Sequence, residues 1–223
     1  VVVVSVVIIA TAIIIGTVVG VGQFVGSGFQ NSSILDNQFK ILGGLFEGDI
    51  GQIASRFTKE LPQTLLGLGL SLGANALGRV KSVSYYGGAT VVEHYSRKWG
   101  AFTLGSYING NNGIQADPTN SLFKHEYGHY LQSQDVGWNY MYDYAIPSLS
   151  SSNRAKNHSE HDAFWTEQDA NIRGRDYFEE RGYKWDYFNH PIYRSGQNDS
   201  FDRDYGHLIR KRQKLGGWLS LTH

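Results

Sequence analysis

The amino-acid sequence predicts an α+β fold, in which a small antiparallel sheet precedes a helix that carries a two-histidine motif. Two observations support the sheet and one the helix. Between residues 80 and 108 lie short runs rich in Val, Ser and Tyr, and two of them are separated by Gly87-Gly88, as in a hairpin. Asn109-Gly-Asn-Asn-Gly113 then reads as a turn cluster. Further on, His125-Glu126-Tyr127-Gly128-His129 falls between a start signal, Asp117-Pro118, and a stop signal, Gly137.

Composition narrows the classes. At 223 residues, with 41% hydrophobic and 13% aromatic side chains, the chain can bury one core of ordinary size. Lys+Arg and Asp+Glu number 20 each, so no charge excess points to nucleic acid. Cys is absent, which excludes disulfides, thiolate metal sites and Cys nucleophiles. Any metal must be held by His, Asp or Glu.

Residues 1–79 read as an apolar, glycine-rich leader and residues 80–223 as the domain proper. Asp36 is the first charged side chain, and the run Val1 to Val25 has only Ser5, Thr11, Thr17 and Gln23 as polar interruptions. Such a run is long enough to cross a bilayer, and Gly16/Gly20 and Gly22/Gly26 repeat the spacing of close helix packing in lipid. Its Val and Ile content equally favours a buried helix or a pair of strands in a larger assembly. Both readings stand: membrane contact through residues 1–79, or burial. The opening Val1-Val-Val-Val, with no initiator Met and no basic segment, is expected of a piece of a larger protein.

In order, Asn37 to Gly51 reads as a loop. Ile50 to Leu61 reads as a helix capped by Asp49 and broken by Pro62. Leu65 to Leu77 is a second apolar stretch able to pack on the first. Val80–Tyr86, Ala89–Tyr95 and Phe102–Ile108 are the expected strands, and an edge strand beside the motif could hold an extended peptide by main-chain pairing.

On a helix, positions i and i+4 share a face, so His125 and His129 can present two imidazoles to one metal. Glu126 is turned about 100° from His125 and can reach a water at the metal without being a ligand. A zinc site needs a third protein ligand, and the downstream candidates are His158, Glu160, His161, Asp162, Glu167 and Asp169. Phe164 to Arg173 reads as a half-buried helix able to lie antiparallel to the motif helix, after a connection turned at Pro147. Glu167 on it is the favoured ligand, and Asn171 lies on the same face to support the site by hydrogen bonding. His161 and Asp169 remain the alternatives. For an oxyanion donor, Tyr177, His190 and Tyr193 are candidates among which spacing does not choose. The last forty residues show no clear periodicity and carry a basic cluster at 208–215.

H-E-x-G-H followed some tens of residues later by E-x-x-A-N resembles the gluzincin arrangement of zincin metallopeptidases. The resemblance implies Zn2+ held by His125, His129 and Glu167, with Glu126 as base. It also implies support from Asn171, where Asp is commoner. More closely, Leu122–Gln134 and Trp165–Asn171 are similar to metallopeptidase-like domains at the C-termini of bacterial RHS-repeat proteins. That likeness spans roughly residues 93–178. It implies a zincin-like fold and a peptidase acting on protein or peptide as a C-terminal toxin or effector domain. The bacterial domain would be secreted or delivered by a larger protein. The rival expectation is a membrane-inserting toxin segment in residues 1–79, with a structural or degenerate zinc site.

Overall fold

The computed structural model describes residues 32–97 and 100–214, together with Gly22. The rest of the apolar run at residues 1–25 and the end of the basic cluster lie outside the described residues. Within them the chain is α+β, with helices α1 (Ser32–Gly43), α2 (Ile50–Arg56), α3 (Leu61–Ala76), α4 (Ser121–Val136), α5 (Ile146–Arg154), α6 (His158–Asp162), α7 (Trp165–Glu179) and α8 (Asp199–Lys214). The strands are β1 (Val80–Tyr86), β2 (Ala89–His94), β3 (Ala101–Leu104) and β4 (Tyr107–Gly110).

The sheet has four strands in the order β1-β2-β4-β3, and it is mixed, not antiparallel as expected. The expected third strand breaks at Gly105, whose φ of +60° suits a residue without a Cβ. It folds back as the antiparallel pair β3–β4. Every residue of β4 is buried, so β4 takes the inner place and pairs parallel with β2. That leaves β3 as an edge. Alternation along the strands supplies two cores. Val80, Val83, Val92 and Tyr107 face Ile41, Leu42, Leu45, Leu61 and Leu68. On the other face, Ala89, Val91 and Ile108 meet Phe123, Tyr127 and Tyr130 of α4 and Phe178 of α7. The expected division at residue 79/80 thus runs through the first of these cores.

Several local expectations change for the same reason. Residues 37–43 are helical, not loop: Ile41 and Leu42 bury against the sheet, and Asn37 donates to the Val80 carbonyl. Asp49 caps α2 in a reciprocal box with Gln52, as read. Pro62 starts α3 instead of breaking a helix, because its missing N–H is not needed in a first turn. The N-cap of α4 is Asn120, which accepts from the Phe123 N–H at 3.0 Å. Asp117 spends its carboxylate locally on Thr119 N–H. Residues 141–154 form a π-helical turn running into α5, with Pro147 again in a first turn. Within the tail read as aperiodic, residues 199–214 form α8, with Phe201 and Leu208 packed on Tyr140, Tyr144 and Trp165. No helix among the described residues is long and apolar enough to cross a membrane.

Candidate metal centre

The centre is made where α4 and α7 cross, and two small residues allow the approach. A Cβ on Gly128 would collide with the Ala170 carbonyl, and one on Gly174 would meet the Lys124 carbonyl at 2.7 Å. The backbones therefore touch, and side chains flanking the contact are driven together from both helices. His125, His129 and Glu167 meet there, one ligand atom of each lying within 4.8 Å of the others. Glu167 Oε2 is 3.4 Å from His125 Nε2 and 3.1 Å from His129 Nε2.

Both imidazoles are held from behind. Asn171 donates its amide to the Pro191 carbonyl at 3.0 Å, so its oxygen is the atom that lies 2.6 Å from His125 Nδ1. Gln132 donates to the Thr166 carbonyl and to Asp169 Oδ2, which turns its oxygen to His129 Nδ1 at 2.8 Å. A carbonyl oxygen can only accept, so each Nδ1 must carry a hydrogen. Each neutral ring then offers its Nε2 lone pair to the centre, beside a carboxylate oxygen. Three acceptors so convergent repel unless a cation sits among them, either a proton or a metal ion. The donor set, two imidazoles and a carboxylate with no thiolate, fits Zn2+.

The electrostatics agree. Burial works against a charged His129, but the Glu167 carboxylate outweighs it and raises that group to about 9. His125 moves up as well, burial again opposing and the Glu167 bond favouring the cation. Burial opposes ionisation of Glu167, yet the two histidines hold it well below the usual carboxylate range. Proton and metal would therefore compete for one place.

Glu126 is buried beside the cluster and accepts from Thr103 Oγ of β3 at 2.6 Å. The edge strand thus fixes that carboxylate. His161, the rival ligand, approaches Glu167 Oε2 at 3.8 Å and has its Nδ1 3.2 Å from Ser151 Oγ. Asp169, the other rival, is turned away: Arg173 holds it at 2.8 Å, and its second bond supports Gln132. The three oxyanion candidates separate. His190 stacks on His125 with ring centroids 4.6 Å apart. Tyr193 stands further off, 3.4 Å from Ser159 Oγ and against Phe201. Tyr177 is packed with Tyr127 and Phe178 in the aromatic core and takes no part in the cluster.

Sequence reasoning missed Gln132, Thr103 and Ser151. Gln132 stands three residues after His129 on the motif helix, a spacing that does carry the contact. Nothing local marks Thr103 or Ser151. The class so defined is an α+β protein with a two-histidine, one-carboxylate cluster. No family model matches the chain, and the curated proteins and solved structures likewise yield no match.

Proposed function

We propose that this chain is a zinc-dependent peptidase of zincin-like, gluzincin-type architecture. The observation that carries the reading is the convergence of His125, His129 and Glu167, with both histidine tautomers fixed for ligation. Bound Zn2+ supplies Lewis acidity, acidifying a water and polarising a carbonyl. The chain supplies the rest. Glu126, aimed by Thr103, takes a proton from the attacking water and returns it to the leaving amine. The edge strand β3, exposed at Phe102 and with its Thr103 carbonyl already bonded by Tyr140, pairs with an extended substrate at its Ala101–Phe102 end. His161, beside Ser151 and 3.8 Å from Glu167 Oε2, donates to the carbonyl oxygen that becomes negative. A role as an effector domain of a larger delivered bacterial protein of the RHS-repeat kind is carried by the motif resemblance alone.

Metal analysis and peptide hydrolysis test the proposal on one set of variants. The wild type and Glu126→Gln are expected to bind stoichiometric zinc, with hydrolysis lost only in the second. His125→Ala, His129→Ala and Glu167→Ala are expected to lose zinc, while His161→Ala and Asp169→Ala keep it. A chain that binds no zinc, or a Glu126→Gln variant that still cleaves, sinks the reading.

A further inference from the structure

A cavity of about 480 Å³ opens beside His125, and its walls belong to the same elements that build the centre. Ser121 and Leu122, one turn before His125 on α4, form one side. His190, stacked on His125, and Tyr193 form a second. The short helix α6 forms the third and turns Asp162 into the space, next to the His161 that faces Glu167. Phe188 stands at this cavity with 93% of its surface exposed, so its ring is open to a ligand.

We infer that this cavity binds the side chain of a basic residue, Lys or Arg, in the substrate, with Asp162 as its anionic anchor. The inference rests on the peptidase reading above and names the specificity of that site.

Charge accounts for the sign. Glu126 and Glu167 together carry two negative charges and balance a divalent ion at the centre. Asp162 is then the carboxylate left facing the cavity, and it is only 16% exposed. Its partner is His158, 3.5 Å away and 82% exposed. So exposed a contact is weak, and an incoming cation can replace His158 at little cost. An acidic side chain would be repelled by Asp162. An apolar one would cover a carboxylate without satisfying it. The rings of Phe188, Tyr193 and His190 suit the alkyl stem of Lys or Arg and the face of a cation. The volume lies within the common range for a ligand cavity, about 300–1,000 Å³, and admits either side chain.

The test uses the zinc-loaded full chain. Cleavage of a peptide library is read together with calorimetric binding of arginine hydroxamate against leucine hydroxamate, so that the outcome does not hang on turnover. The wild type is expected to favour Lys or Arg at one position next to the scissile bond, and to bind arginine hydroxamate about tenfold more tightly. Asp162→Asn, with zinc content and melting curve unchanged, is expected to lose that preference, Lys and Arg peptides falling to the level of neutral ones. Asp162→Lys is expected to shift preference toward Asp or Glu. Equal binding of the two hydroxamates, no binding of either, or a basic preference that survives Asp162→Asn overturns the inference and leaves the metal reading intact. Failure to bind zinc removes both, and metal analysis alone shows that case.

Discussion

Two side-chain amides decide which nitrogen of each histidine faces the centre. Asn171 and Gln132 each donate to groups that can only accept, so each must offer oxygen to a histidine N–H. Replacing either by Ala frees a ring to rotate or change tautomer, and is expected to weaken zinc binding by about 10–100-fold, measured by competition with a chelator. Glu126→Gln keeps the packing and removes the base, with an expected loss of about 10²–10⁴ in kcat. A pH dependence follows from the same atoms. In the metal-free chain the folded-state pKa of His129 stands at about 9, above its ordinary value. The stability this contributes is complete below the ordinary value and disappears as pH rises through about 9. Glu167 is shifted down, so its contribution is present above the usual carboxylate range and is lost as pH falls through its depressed value. Zinc displaces the proton, so the gain in melting temperature on adding zinc should be larger near about pH 8.5 than near about pH 6. Thermal melts of stripped and reloaded protein at the two pH values check it.

At the scale of elements, the crossing of α4 and α7 is the device that makes the cluster. The motif shows that His125 and His129 share a face, since that depends only on helical spacing. It cannot show how close the second helix comes. Gly128 allows that approach by leaving the Ala170 carbonyl unobstructed. Gly128→Ala should therefore destabilise by about 1–3 kcal/mol in denaturant titration, despite the better helix propensity of Ala. It should also loosen zinc, because Glu167 rides on the displaced helix. The strand region teaches a similar lesson. Gly87-Gly88 was legible as a turn, and Gly105 lay unread inside Phe102–Ile108 because a single Gly in an apolar run fits a strand as well as a turn. Its positive φ creates the edge strand that holds Glu126 through Thr103.

Taken whole, the molecule uses residues on both sides of the expected boundary at 79/80. α1 and α3 cover one face of the sheet, and α4 and α7 cover the other. Buried Arg56 donates to the carbonyls of Leu45, Glu47 and Gly88. Buried Glu60 accepts from Ser55 and, at 2.7 Å, from Ser133 on the motif helix. A chain beginning at Val80 would leave Val83, Val92 and Tyr107 facing water and Ser133 without its partner. It is expected to show no cooperative unfolding transition by circular dichroism, and a chain that melts cooperatively would refute this dependence.

From the sequence alone came the features set by local spacing: the two histidines on one helical face, the carboxylate between them, the Asp49 cap and the hairpin of β1 and β2 across Gly87-Gly88. These depend on local geometry and need no distant partner. The tertiary structure decided what lies between elements. It brought Glu167 to the histidines while tying Asp169 to Arg173 and Gln132, holding His161 at 3.8 Å and leaving Tyr177 in the aromatic core. It also ran β4 parallel to β2. The physical reason is burial: which of several polar side chains reaches a given point depends on which apolar face each helix hides, and that face is chosen by its neighbours.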